Sequence, residues 1–174
     1  MEEQVQQFAT VRGNITALLG ESKGDGLLQK SMYIFSIGSN DIMEYLFSPL
    51  KTMTPEQFVI NLTDAYAIHL KNLYSMGARK FGILSIPPIG CCPFARFVSN
   101  GFKDVVSACC ADKTPFGLSE CLKGVHLCKY RDDYLFWDAF HPTEKASKLA
   151  ATVVVSSQDP AFVSPINFGS LRKA

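Results

Sequence analysis

The strongest constraint on this fold is one long helical signal set between two short β-favouring runs. Thr54-Pro55-Glu56-Gln57 is a helix start: a capping threonine, a proline suited to the first turn, and a glutamine placed to complete a capping box. Phe58, Leu62, Ala65, Tyr66, His69, Leu70 and Leu73 then share one broad face, and Gly77 stops the pattern, which predicts a helix over 55–76. Residues 31–37 precede it and 81–86 follow it, both apolar and short, and Pro87-Pro88-Ile89-Gly90 ends the second run. A strand, a long helix and another strand form a βαβ unit, whose strands are parallel and joined by a right-handed crossover.

The rest of the chain fits around that unit. Val5, Phe8, Ile15 and Leu19, with Arg12 breaking the stripe, predict an amphipathic helix over 3–19 that stops at Gly20. Residues 21–26 are polar and glycine-rich and read as a loop, as does Gly38-Ser39-Asn40-Asp41 after the first strand. Residues 101–130 are cysteine-rich and show no clear period, 134–137 read as a short extended piece, and Pro142 and Thr143 open a last helix. The tail over 156–174, with Pro160 and Pro165, reads as loop. With no internal repeat and no linker, the 174 residues are expected to form a single α/β domain.

Charge and composition exclude several classes. A formal net charge of +1 and the lack of any Lys/Arg run leave no field to hold a phosphate backbone, so nucleic acid is not an expected partner. No apolar run has the length to span a bilayer. Met1-Glu2-Glu3-Gln4 offers neither a basic start nor an apolar signal core, so the chain as written is expected in the cytoplasm. Against that stand six cysteines (Cys91, Cys92, Cys109, Cys110, Cys121 and Cys128) and two acceptor triplets, Asn14-Ile15-Thr16 and Asn61-Leu62-Thr63. Both features suit a secreted protein, although six cysteines allow about 15 pairings.

Open α/β sheets place their sites in the loops at the carboxyl ends of the strands. Two polar clusters fall there. In Asp138-Ala139-Phe140-His141-Pro142, a carboxylate three residues before an imidazole can accept the Nδ1 proton on a tight turn, fixing the tautomer and leaving Nε2 as a base. Taken alone, the pattern also suits a helix-entry turn with an incidental histidine. Asn40 beside Gly38 is either a side-chain amide donor or a turn asparagine.

Three blocks carry a family resemblance. Tyr33-Ile34-Phe35-Ser36-Ile37-Gly38-Ser39-Asn40-Asp41 resembles the Gly-x-Asn-Asp block of plant-type GDSL esterase/lipases, the SGNH hydrolases. The stretch from Leu73-Tyr74-Ser75-Met76-Gly77 through Ile86-Pro87-Pro88-Ile89-Gly90-Cys91 is similar to that family's segment after its long helix. Tyr134-Leu135-Phe136-Trp137-Asp138-Ala139-Phe140-His141-Pro142-Thr143 resembles its closing Asp-x-x-His-Pro block, and Pro165-Ile166-Asn167-Phe168 has the character of its tail. The blocks arrive in the family's order and cover nearly the whole chain.

The resemblance implies a flavodoxin-like three-layer α/β sandwich with a parallel sheet, here a partial one. It implies hydrolysis of carboxylic esters of lipids or other small acyl esters through a covalent acyl-enzyme, with no metal, no organic cofactor and no obligate protein partner. His141 is then the general base and acid, Asp138 its orienting partner, and Asn40 an oxyanion-hole donor with Gly38 turning the backbone beside it; Asp41 is read as holding the loop. The resemblance also implies the secretory pathway.

Two departures qualify that reading. The family's Gly-Asp-Ser-Leu block, whose serine attacks the ester, is absent, together with the block that gives a glycine N–H to the oxyanion hole. Gly24-Asp25-Gly26-Leu27 has no hydroxyl where that serine belongs and no strand before it, and no Gly-x-Ser-x-Gly elbow occurs. Between Ser99 and Gly101 the family's further helical stretch is missing, so the chain reads as truncated in front and shortened inside. A catalytically inactive fragment or a pseudoenzyme with a binding role is the alternative. A metal module of Cys109, Cys110, Cys121, His126 and Cys128 is a third reading that adjacent cysteines fit poorly.

Overall fold

The computed structural model describes residues 1–85, 101–110 and 121–174. The chain divides into two compact units, Met1–Pro87 with Leu171–Ala174, and Pro88–Ser170. Pro87-Pro88-Ile89-Gly90, Cys91 and Cys92, and the expected shortening beside Ser99 fall at least partly outside the described residues.

In the first unit, helix α1 spans Glu2–Leu19 and stops at Gly20, whose φ of 78° few other residues tolerate. Helix α2, Glu21–Lys30, replaces the loop expected over 21–26. Packing explains the difference. A Cβ on Gly24 would lie 3.4 Å from Ile15 Cγ2 and 3.5 Å from the Thr16 backbone, so the glycine lets α2 lie close against α1. Leu28 is buried from the next turn, and Arg12 of α1 reaches Asp25 of α2 at 3.8 Å. Tertiary contact overrides the weak helix propensity of Gly24 and Gly26.

Strand β1, Met32–Phe35, pairs in parallel with β2, Lys80–Ile83, with Met32 opposite Lys80 and Phe35 opposite Ile83. Both strands are shorter than the runs that announce them, and Ile86 lies outside the described residues. Helix α3, Ser39–Phe47, begins where a loop was expected, and α4, Pro55–Ser75, is the connecting helix. Its capping box is complete: the Gln57 N–H donates to Thr54 Oγ1 at 3.3 Å and the Thr54 N–H to Gln57 Oε1 at 3.0 Å. At the other end Gly77 has φ 107°, the Ala78 N–H reaches the Leu73 carbonyl and the Gly77 N–H the Tyr74 carbonyl, both at 3.1 Å. That is a Schellman closure. Phe8, Tyr33, Phe35, Tyr66 and Phe81 form a chain of ring contacts with centroids 5.4–6.1 Å apart, tying α1 and α4 to the two strands.

In the second unit, strand β3, Asp104–Ala108, lies inside the segment that showed no period and pairs in parallel with β4, Tyr134–Phe136. The ladder is irregular between Asp104 and Ala108. There Asp104 Oδ1 accepts the Val106 and Ser107 N–H groups, taking amides that a regular strand would give its neighbour. Disulfides join Cys109 to Cys128 and Cys110 to Cys121, and the Cys128 N–H donates to the Cys109 carbonyl at 2.7 Å. Helix α5, Glu144–Ser156, starts as expected at Thr143, whose hydroxyl accepts the Ala146 N–H. The tail contains one more helix, α6, Phe168–Lys173, not the continuous loop expected. Its start is held by buried Asn167, whose Oδ1 accepts the Ser170 N–H at 2.8 Å.

Candidate active site

The first polar cluster sits at the end of β1. Gly38 has φ 104° and ψ −16°, a left-handed conformation that turns the chain directly from strand into α3. Asn40 therefore occupies the first turn of a helix and not an open loop, and it is exposed, with no hydrogen-bond partner for its side-chain amide among the described residues. Asp41 shares that turn, where the helix dipole favours a carboxylate, in place of the loop-holding part expected of it.

Gly38 and Asn40 open onto a cavity of about 620 Å³, whose other walls include Tyr66 and His69 of α4 and Ser85 after β2. Burial pushes the Tyr66 phenol above its ordinary pKa, and His69 Nδ1 is buried with no hydrogen-bond partner among the described residues. The sequence marked both only as members of an apolar helix face. Their one signal is polarity on that face, which without the fold does not separate a cavity wall from a satisfied core.

The second cluster follows β4. The chain doubles back after Trp137, whose N–H donates to the His141 carbonyl at 2.8 Å, while the Thr143 N–H donates to the Leu135 carbonyl. Thr143 is almost fully buried, and its hydroxyl donates to the Tyr134 carbonyl at 2.8 Å. This clamp holds the turn between them. Within it Asp138 Oδ1 accepts the backbone N–H groups of Phe140 and His141, both at 2.8 Å. His141 Nδ1 lies 2.8 Å from Asp138 Oδ1 and 2.9 Å from Oδ2.

Burial acts to raise the Asp138 pKa, but the hydrogen bonds from Phe140 and His141 together outweigh it and hold the carboxyl below its usual range. An ionised carboxylate only accepts, so Nδ1 is the donor in this contact, and in the neutral ring Nε2 is the nitrogen left with a lone pair. With side-chain exposures of 15% for Asp138 and 71% for His141, the carboxylate is sheltered and the imidazole is open to solvent. The arrangement can take up a proton at Nε2 and stabilise the resulting imidazolium.

Asp138 and His141 are thus brought into contact, and Gly38 and Asn40 stand together at one cavity. The two pairs belong to different compact units. The metal reading of Cys109, Cys110, Cys121, His126 and Cys128 is overturned, because all four of those sulfurs are held in disulfides and none is a free thiolate. Among the described residues, no helix is long and apolar enough to cross a membrane.

GDSL esterase/lipase At2g23540 of Arabidopsis thaliana is 28% identical over 240 aligned positions, which take in 99% of this chain and 61% of that protein. GDSL esterase/lipase At4g16230 is 27% identical over 234 positions, covering 98% and 63%, and GDSL esterase/lipase 4 is 25% identical over 233, covering 97% and 62%, both from the same plant. The chain spans about three fifths of the length of these curated relatives. Because 240 aligned positions meet only 174 residues, the first relative carries several dozen residues within the matched span that have no counterpart here. No solved structure matches the chain. The family model described as GDSL-like Lipase/Acylhydrolase matches residues 1–154 and implies the SGNH-hydrolase α/β fold, with which the parallel pairs β1–β2 and β3–β4 agree. With most of its length matched, the chain belongs to the GDSL-like lipase/acylhydrolase family.

Proposed function

We propose that this chain carries the proton-transfer and oxyanion-binding parts of a carboxylic ester hydrolase and lacks the nucleophile that would complete them. The observation that carries the proposal is the double contact of His141 Nδ1 with the Asp138 carboxylate, on a turn clamped by Thr143. In this reading His141 moves the proton between nucleophile, leaving group and water. Asp138 orients the ring, and Asn40 with the Gly38 turn stabilises charge on the ester carbonyl oxygen. The substrate class is a lipid or other small acyl ester. The apolar and hydroxyl-bearing walls of the cavity beside Asn40 suit an ester's acyl and carbonyl groups.

Lipid breakdown in the secretory pathway or outside the cell is part of the same proposal. It draws support from the two disulfides, which persist in oxidising compartments. No serine of this chain stands in a Gly-Asp-Ser or elbow context. Removing the nucleophile of a serine hydrolase costs about 10⁶ in turnover. The isolated chain is therefore expected to show no esterase activity on a short-chain nitrophenyl ester above a buffer blank. Hydrolysis that disappears in His141→Ala would overturn the proposal, because it would require a nucleophile within this chain.

A further inference from the structure

The two acceptor asparagines, Asn14 and Asn61, take no part in the chemistry above, although Leu62 and Thr63 of the second triplet line the cavity beside Asn40, and the fold gives the asparagines a use. Asn14 lies in the second half of α1 and Asn61 in the first half of α4, and both are exposed. The Asn14 side chain has no hydrogen-bond partner among the described residues, and Asn61 Nδ2 makes only a long contact of 3.7 Å to Met53 Sδ. Two of the six asparagines in the chain thus stand in Asn-x-Thr triplets, and both reach solvent, where a bulky substituent is tolerated.

A third observation bears on Asn14. Val11 and Leu18, three residues before it and four after, share its strip of the helix and are 49% and 83% exposed. An apolar strip left open to water favours association. A hydrophilic substituent on Asn14 would cover it.

We infer that Asn14 and Asn61 are N-glycan acceptor sites. The inference rests on the secretory reading proposed above. The co-reactant is a lipid diphosphate-linked oligosaccharide presented by the host's membrane transferase. The Asn amide nitrogen attacks the sugar's anomeric carbon, a C–N bond forms as the bond from that carbon to the diphosphate oxygen breaks, the lipid diphosphate departs, and the amide nitrogen loses one proton. Transfer takes place on the translocating chain before α1 and α4 form. The helical setting seen here therefore does not hinder it, and what the fold must allow is room for the finished glycan.

The test is to express the full chain behind a cleavable secretion leader in a eukaryotic host. The secreted and the membrane-enclosed fractions are collected and digested with peptide N-glycosidase. The expected result is a doubly modified chain that collapses to the bare mass, with Asn14 and Asn61 each converted to aspartate in the released peptides. Asn14→Gln and Asn61→Gln should each remove one step of the ladder. Thr16→Ala should reproduce the first loss without touching the acceptor, whereas Thr63→Ser should keep the second site. Asn14→Gln should also shift the secreted protein toward larger species in size-exclusion chromatography.

A glycosidase-insensitive chain in both fractions overturns the inference, and an unmodified Asn at one position overturns it there. The thiol count of the same sample separates the two levels of the argument. Disulfide-bonded Cys109–Cys128 and Cys110–Cys121 without glycan sinks only the acceptor sites, whereas free thiols at those positions sink the secretory reading as well.

Discussion

Replacing Asp138 with asparagine changes little in shape and much in hydrogen-bond logic. Asn Oδ1 can still accept the Phe140 and His141 amides that Asp138 Oδ1 now holds at 2.8 Å. What changes is the Oδ2 side of the double contact, where an amide NH₂ donor replaces a carboxylate oxygen 2.9 Å from Nδ1, while Oδ1, 2.8 Å from Nδ1, is already shared with the two backbone amides. Two donors cannot share that contact, so the ring adopts the other neutral tautomer, with the proton on Nε2 and no base presented outward. The stability cost is small, since the His141 side chain is 71% exposed and its contact with Asp138 is strongly screened by solvent. A loss of about 1 kcal/mol lowers Tm by ~2–4 °C in a protein of this size. Asp138→Ala, which also strips both backbone amides of their acceptor, is expected to cost about 2 kcal/mol.

The same pair sets a pH dependence. The Asp138 pKa is lower in the folded chain than its ordinary 3.8, so its stabilising contribution is present above that value. It is lost as pH falls through the still lower folded value. Wild type should therefore lose stability below about pH 4 through this group, and Asp138→Asn should lack that component. The assay is ¹⁵N NMR of the imidazole nitrogens at neutral pH, with the His141 signals identified by their loss in His141→Gln. Wild type should show the Nδ1–H tautomer and Asp138→Asn the Nε2–H form. An Nε2–H tautomer in wild type would contradict this assignment, because the carboxylate would then not be taking the Nδ1 proton.

Two further outcomes follow from the described contacts. Thr54→Ala removes the hydroxyl that accepts the Gln57 N–H, and it should cost about 1 kcal/mol and raise amide exchange in the first turn of α4. Reducing the disulfides, which close separations of 19 and 11 residues, releases about 3 kcal/mol of chain entropy each in the loop-closure account. Hydrogen exchange should then accelerate at Cys109, Cys110 and Cys128 while α4 keeps its protection; unchanged exchange at those amides would count against a structural role for the bridges.

What could be read before folding was what depends on neighbours in sequence. The capping box of α4 spans Thr54 to Gln57 and is legible from spacing, whereas the three-residue spacing of Asp138 and His141 permits the pair without separating it from an incidental histidine, and the family blocks are what favour it. Where tertiary contact decides, the reading failed. Residues 21–26 looked like a loop because two glycines sit there, yet Gly24 is what lets α2 lie against α1. The segment after Gly38 looked like a loop because the glycine and Asn40 suit one, yet Gly38 turns straight into α3. Strand β3 was hidden because only Val105-Val106 carries the β signal and Asp104 diverts part of the ladder to its own side chain. In the tail, Asn167 was a legible cap for α6 that two prolines obscured. Tyr66 and His69 became cavity residues only once α4 was set beside Asn40.

The proposed set of proton-transfer and oxyanion groups without a nucleophile is open to direct test by labelling with a fluorophosphonate probe. Run beside an active serine esterase at equal concentration, the folded chain should take up no label while the control is labelled to completion. A stoichiometric adduct on any serine of this chain, lost in His141→Ala, would contradict that proposal.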